Sequence, residues 1–207
     1  MQRILFVRHG ETVYNAMKKF QGISDIALNE TGKKQAENIT LPYTNFDAGY
    51  HSGLQRSKNT LSIILNKNNL KIPQLELNLL KERKYGIFEG KSHEYLKENY
   101  SELYNEWLKN ENVYIKDAES VESVMNRMKN VLQLLNTKEK NNYIIVSHSG
   151  CMHALYKWLH DIHPNTYSGF RINNCDYYEL IYEIKDDSLN FEFIMDKHYK
   201  KGSIKLT

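Results

Sequence analysis

The segment ILFVRHGETVYN, Ile4–Asn15, begins as a strand and ends as chemistry. Ile4–Val7 is a short apolar run with β-branched members, of the length that suits a strand buried on both faces. It runs directly into Arg8-His9-Gly10: a guanidinium beside an imidazole, then the residue with the least backbone constraint. A second stretch, YIIVSHSG over Tyr143–Gly150, has the same grammar, with His148-Ser149-Gly150 after the apolar run. Ligands of α/β sheets bind beyond the carboxyl ends of the strands. If the two strands are adjacent and parallel, both His-containing turns meet at one end of the sheet, although nearly 140 residues separate them.

The chain between them alternates strand and helix patterns. Helices are expected over Thr31–Ile39, with Asn29 and Thr31 as possible caps, and over Leu54–Leu65. A third is expected over Glu119–Asn136, where Val121, Val124, Met125, Met128, Val131, Leu132 and Leu135 share one face. Past Gly150, Cys151, Ala154, Leu155, Trp158 and Leu159 recur at helical spacing. Phe46–Tyr50 reads as a strand, Leu75–Leu80 fits strand or loop equally, and Tyr177–Glu183 with Asn190–Met195 reads as a late hairpin. Ser92–Asn112 turns to Glu, Lys, Asn, Tyr and Trp, which predicts short helices in a lobe over the core. The expectation is one domain over residues 1–207: an α/β sandwich with a largely parallel sheet, and a lid or insertion at about 91–118.

Bulk properties narrow the function. Net charge is +3, from 28 Lys+Arg against 25 Asp+Glu, which gives no electrostatic case for nucleic acid or an anionic membrane. The Lys pairs at 18–19, 33–34 and 200–201 read as solvated surface. Two cysteines, Cys151 and Cys175, cannot build a disulfide framework and suit a reducing compartment. With no apolar leader and no run of membrane length, the expectation is a soluble cytoplasmic protein. Oligomeric state is not legible.

The candidate residues suggest phosphate chemistry. Arg8 offers planar, permanently charged donors suited to phosphate or carboxylate. A neighbouring cation disfavours protonation of His9, leaving a neutral imidazole that can act as a nucleophile. Its tautomer needs fixing by a carbonyl, which Gly10 could supply; Gly10 could instead let the chain pass close to an anion. Arg56 falls in the first turns of the helix near Leu54, where anions are favoured; the plainer reading is a solvated helix Arg. Glu82 and Glu89 in LLKERKYGIFEG could supply a proton to a leaving alkoxide, or could be surface partners of Lys81, Arg83 and Lys84. His148, as an imidazolium, could stabilise phosphoryl oxygens. His148, Cys151 and His153 as metal ligands fit poorly, because 151 and 153 point apart on a helix. His93, His160, His163 and His198 are isolated and carry no assigned role.

Taken in order, these motifs resemble the histidine phosphatase superfamily, the phosphoglycerate mutase-like family. The resemblance rests on Arg8-His9-Gly10-Glu11-Thr12, Asn15, FQGISDIALNETGKKQA (Phe20–Ala36), SGLQRSKNT (Ser52–Thr60), LKERKYGIFEG (Leu80–Gly90), AES (Ala118–Ser120), VSHSG and a late Asn174. It implies a three-layer α/β/α sandwich. It implies His9 as the nucleophile that becomes phosphohistidine, and Glu82 as acid and then base. It further implies Arg8, Arg56, His148 and Asn15 around the phosphate, with no metal or other cofactor. Ser149 stands where the family commonly has Gly and keeps the backbone N–H of the pocket; His51 and Gly53 are departures with open roles. The family's mutases hold a second acidic group with an Arg pair in the insertion, and Lys91–Ala118 contains no Arg. The resemblance therefore implies a phosphatase acting on a small phosphorylated substrate. A mutase, or a non-catalytic phospholigand-binding protein, is the alternative.

Overall fold

A computed structural model describes residues 1–137, 139, 141–166, 168–195 and 198–206, with no side-chain description of 198 and 199. Strand β1 is Gln2–Arg8, followed by helix α1 (Val13–Ala16) and α2 (Glu30–Glu37). Then come β2 (Ala48–His51), α3 (Gln55–Lys67) and β3 (Gln74–Glu76), then α4 (His93–Asn99), α5 (Ser101–Lys109) and α6 (Val121–Leu135). The chain ends with β4 (Asn142–Ser147), α7 (Ser149–Leu159), β5 (Tyr177–Lys185), β6 (Ser188–Met195) and β7 (His198–Lys205).

The strands form one sheet in the order β3-β2-β4-β1-β5-β6-β7. β3, β2, β4 and β1 pair in parallel. β5, β6 and β7 continue as an antiparallel meander, which leaves β6 running with the parallel set. The Asp186-Asp187 turn between β5 and β6 has positive φ at both residues (48° and 54°), which suits the right-handed twist of a two-residue hairpin.

β1 and β4 make the three layers. Along β1, Ile4 and Phe6 face one cluster with α6 and α7, while Leu5 and Val7 face the other with α2 and α3. Tyr143 and Ile145 of β4 alternate with Ile144 and Val146 in the same way. Ile4–Val7 are all 0% exposed, and each such side chain contributes about 1.5–3 kcal/mol of burial. The helix over Val121–Leu135 buries all seven residues of its expected face. Ser120 starts it by accepting from the Ser123 N–H at 3.0 Å, and Glu119 pairs with Arg127 at 2.9 Å. That accounts physically for Ala118-Glu119-Ser120.

Three elements differ from expectation. Leu75–Leu80 divides into the edge strand β3 and a 3₁₀ turn at Asn78–Leu80. β7, HYKKGSIK, is a third late strand; as an edge strand of polar sequence it has no apolar alternation to announce it. α1 is only four residues long, and the reciprocal Thr12–Asn15 capping bonds hold it. The 91–118 segment does form short helices. They pack over a cluster of their own, formed by Phe20, Phe88, Leu96, Tyr104 and Ile115.

The turn after β1 is held by close backbone contact. A Cβ on Gly10 would lie 2.4 Å from the Gly32 carbonyl oxygen, and one on Gly32 would lie 2.1 Å from the Glu11 carbonyl oxygen. Alanine at 32 would gain about 1 kcal/mol in helix propensity but would force backbone apart, at a cost of about 1–3 kcal/mol or more. Gly32→Ala is therefore expected to lower the melting temperature by several degrees. A melting temperature raised by Gly32→Ala would contradict this contact.

Candidate active site

The β1–β4 register sets Arg8 opposite Ser147. The His9 N–H donates to Ser147 O at 3.0 Å, and the His9 and His148 rings lie 5.1 Å apart between centroids. The late loop closes the same end of the sheet. Cys175 N–H donates to Arg8 O at 3.0 Å, and Asn174 Nδ2 donates to His9 O at 2.8 Å and to Asn15 Oδ1 at 3.3 Å. Beyond the strand ends lies a cavity of about 340 Å³ bordered by Arg8, His9, Asn15, Glu82, Tyr85 and Ser149, among others.

His9 is fixed in one tautomer. Its Nδ1 lies 2.7 Å from Gly10 O. A carbonyl only accepts, so Nδ1 carries the proton and Nε2 the lone pair. Burial, then Arg56 and Arg8, push its pKa well below the ordinary value. Gly10 thus supplies the locking carbonyl, and its Cα faces Gly32 rather than an anion.

His148 is held in the opposite tautomer. Ser57 Oγ donates to Leu54 O at 2.9 Å, so at the 2.7 Å contact between the hydroxyls Ser52 Oγ donates to Ser57. Ser52 Oγ must then accept from His148 Nε2 at 2.8 Å. Nδ1 of His148 accepts from Arg56 Nε at 3.3 Å. Burial and Arg56 lower its pKa strongly. This corrects the expectation of an imidazolium: in the ligand-free site His148 is neutral, because its Nδ1 lone pair receives a guanidinium N–H.

Arg56 is fully buried and does not border the cavity. Its Nη1 and Nη2 donate to Ser24 O and Gly22 O, each at 2.7 Å. It is therefore not a solvated helix residue, and it braces the FQGIS segment against His148. Arg8 donates from Nη1 to Ile172 O at 2.7 Å, while its buried Nε has no hydrogen-bond partner. A buried unpaired N–H is costly, and an anionic oxygen would satisfy it.

Glu82 is 7% exposed, so it is not a surface ion-pair residue. Its Oε1 accepts from Arg83 N at 2.8 Å and Gly150 N at 3.1 Å. Burial raises its pKa, against the pull of those bonds and of Arg56 and Arg8. A Cβ at position 150 would stand 2.4 Å from Glu82 Oε1. Glu89 instead accepts from Tyr85 N at 3.0 Å and Ser24 Oγ at 3.3 Å, a structural role. Asn15 Oδ1 accepts from Thr12 N at 3.2 Å, which leaves its amide N–H groups for the cavity it borders. Ser149 opens α7 and also borders the cavity.

The His148, Cys151 and His153 side chains diverge. Cys151 Sγ donates to Lys81 O at 2.9 Å, and His153 Nε2 pairs with Ser168 Oγ. His51 accepts from Gly53 N at 3.0 Å; Gly53, at φ +86°, lies against the Glu76 carboxylate. The His198 side chain lies outside the described residues.

Sequence reasoning missed Ser52, which orients His148, and Thr60, whose Oγ1 accepts from Gly10 N at 3.0 Å. Both stand in the SGLQRSKNT stretch, Ser52–Thr60, but nothing local marked either side chain as part of the site. Lys18 and Lys19, read as solvated surface, border the cavity along with Phe20, Gln21 and His93.

The sequence profile of the histidine phosphatase superfamily (branch 1) matches residues 4–194. The chain belongs to this family. It is 33% identical over 170 residues to a 2,3-bisphosphoglycerate-dependent phosphoglycerate mutase of Cytophaga hutchinsonii, covering 79% of this chain and 80% of that one. It is 32% identical over 197 residues to the uncharacterised phosphatase PhoE of Bacillus subtilis, covering 92% and 96%. Among solved structures, the phosphoserine phosphatase of Entamoeba histolytica in complex with 3-phosphoglyceric acid superposes with a TM-score of 0.74 at 26% identity, covering 87% of this chain and 91% of that one. The expected α/β fold and histidine phosphatase membership are thereby met, and the expectation of a phosphatase agrees with relatives that carry the name.

The two tautomers can be measured. Imidazole nitrogen NMR of the ligand-free protein near pH ~6.5 is expected to show both rings neutral, His9 protonated at Nδ1 and His148 at Nε2. Ser52→Ala should raise the population of the other His148 tautomer. Two imidazolium signals, or the same tautomer in both rings, would contradict the hydrogen-bond chain.

Proposed function

We propose that this protein is a metal-independent phosphomonoester hydrolase that works through a phosphohistidine at His9. The observation that carries the reading is the pairing of a neutral, Nδ1-locked His9 with a buried, pKa-raised Glu82 on one cavity. The unpaired Arg8 Nε, the Asn15 amide and the Ser149 N–H are suited to receive the phosphate oxygens. Arg56 and His148 hold the floor beneath them. His9 Nε2 attacks phosphorus as the ester P–O bond breaks, and protonated Glu82 gives its proton to the departing oxygen. The Glu82 carboxylate then takes a proton from water, whose oxygen forms the new bond to phosphorus as the P–N bond breaks. No step draws on a metal.

Hydrolysis is favoured over phosphoryl return because the 91–118 segment has lysines but no Arg to clamp a retained intermediate. We read that segment as a lid, with His93 of α4 on the cavity wall. The mutase relative supplies the alternative outcome. A small phosphorylated metabolite fits the cavity volume. Among the described residues no helix is long and apolar enough to cross a membrane. The free thiols Cys151 and Cys175 fit a cytoplasmic setting.

The test is a phosphomonoester panel assayed with EDTA, including 3-phosphoglycerate with a bisphosphoglycerate primer, with release and isomerisation scored separately. Phosphate release that survives EDTA and falls at least about a thousandfold in His9→Ala is expected. Release abolished by EDTA would contradict the reading, and isomerisation without release would make the protein a mutase.

Glu82→Gln should cost about 10²–10⁴-fold on alkyl phosphates and far less on an activated aryl phosphate. Because Glu82 must start protonated, the same substitution should remove the fall in kcat/KM as pH rises through its folded pKa, which lies above the ordinary carboxylate value. Equal losses on both ester types, or an unaltered pH profile, would remove Glu82 as the acid.

A further inference from the structure

The cavity is far larger than one phosphate, and its outer half carries charge that the chemistry above does not use. Its inner end holds Arg8, His9, Asn15, Glu82 and Ser149; its wall continues through Lys18, Lys19, Phe20, Gln21 and Gly22 to His93. Both histidines that border it have pKa values lowered by burial, so neither adds positive charge at neutral pH. His93 is further tied through Nδ1 to the Tyr104 hydroxyl at 2.8 Å. Glu82 is the one carboxylate among the lining side chains. When Glu82 is protonated to act as the acid, the wall presents Arg8 and two ammonium groups with no counter-charge of its own. A phosphate dianion at Arg8 would still leave Lys18 and Lys19 with no anion among the side chains that line the cavity.

The backbone places that pair deliberately. Met17 ends α1, and Lys18 then takes a left-handed φ of 51°, a conformation few non-glycine residues adopt. Lys18 N–H and Lys19 N–H cap the helix on Asn15 O at 3.0 Å and Tyr14 O at 2.8 Å. Asn15 is thus both a phosphate-facing side chain and the anchor of the lysine turn. Lys19 is bridged to Ser92 and its ammonium lies 5.5 Å from the centre of the Tyr14 ring. Among the described residues neither ammonium forms a salt bridge. The nearby carboxylate that feels Lys18 is that of Glu94, on the solvent side.

We propose that Lys18 and Lys19 form a second anion subsite. The preferred substrate is then a phosphomonoester with a further carboxylate or phosphate a few atoms from the first. This rests on the phosphatase reading. It is not the Arg-pair arrangement of the family's mutases: the cations come from the turn after α1, which lies beside Ser92 at the start of α4, and not from within the 91–118 segment. Lysines are point charges on flexible stems, so they suit a variable acidic tail better than one planar group.

The test compares near-isosteric pairs: 3-phosphoglycerate against glycerol 3-phosphate for a carboxylate, and fructose 1,6-bisphosphate against fructose 1-phosphate for a second phosphate. Wild type should favour at least one acidic member by about tenfold in kcat/KM, and added salt should shrink the preference. Lys18→Met/Lys19→Met should bring the ratio to within about threefold, mainly through KM, and Lys18→Arg/Lys19→Arg should restore it. A ratio near one in wild type, or one that survives the double Met substitution, overturns the subsite. Turnover of an aryl phosphate, dependent on His9, reports the phosphatase reading separately. If that turnover is missing, calorimetric binding of the same pairs to wild type and the double variant still decides the subsite.

Discussion

The parallel pairing of β1 with β4 is the constraint from which the site follows. With Arg8 opposite Ser147, the residues just beyond each strand are brought together with no further instruction. A slip of one residue would exchange the faces of every side chain in β1. It would put Ile4 and Phe6 where Leu5 and Val7 now pack, and both clusters would be lost. The apolar alternation that builds two core layers therefore also fixes the distance between two imidazoles. Stability and chemistry share one register.

What the sheet end brings together, hydrogen bonding then differentiates. Two buried histidines 5.1 Å apart between ring centroids would be interchangeable by residue type. One has its Nδ1 proton spent on Gly10 O, and the other has its Nε2 proton spent on Ser52. Their lone pairs face different ways: His9 toward phosphorus in the proposed reaction, His148 toward Arg56. Burial does for Glu82 what it does for the histidines, disfavouring the charged form. The proposed reaction calls for a neutral nucleophile and a protonated acid, and burial shifts His9 and Glu82 in those directions.

Much of this was legible in the sequence, for identifiable reasons. Ile4–Val7 and Tyr143–Ser147 are short apolar runs, and the Val121–Leu135 face is strongly periodic. Arg8-His9-Gly10 alone could be an accident of a strand end; it gains its meaning from the ordered set of motifs around it. Glu82 and Arg56 were not separable from surface residues by pattern. Glu82 stands among three basic neighbours in sequence, and only the fold shows that its oxygens turn inward to the N–H groups of Arg83 and Gly150. The Lys18-Lys19 pair does reach solvent, with Lys18 exposed and Lys19 half-buried, but no local pattern showed that the turn carrying it would also border the cavity. β7 and the charge state of His148 depend on long-range partners that no local window contains.

The central claim is that Gly10 O, by holding the Nδ1 proton of His9, dictates where phosphorus bonds. Rapid acid-free quenching of wild-type turnover with labelled substrate, followed by mass spectrometry and phosphorus–nitrogen NMR of the trapped protein, tests it directly. The account predicts a base-stable, acid-labile phosphoryl group on His9, attached at Nε2. Attachment at Nδ1, or turnover with no phosphoryl group on His9 at any time, would contradict it.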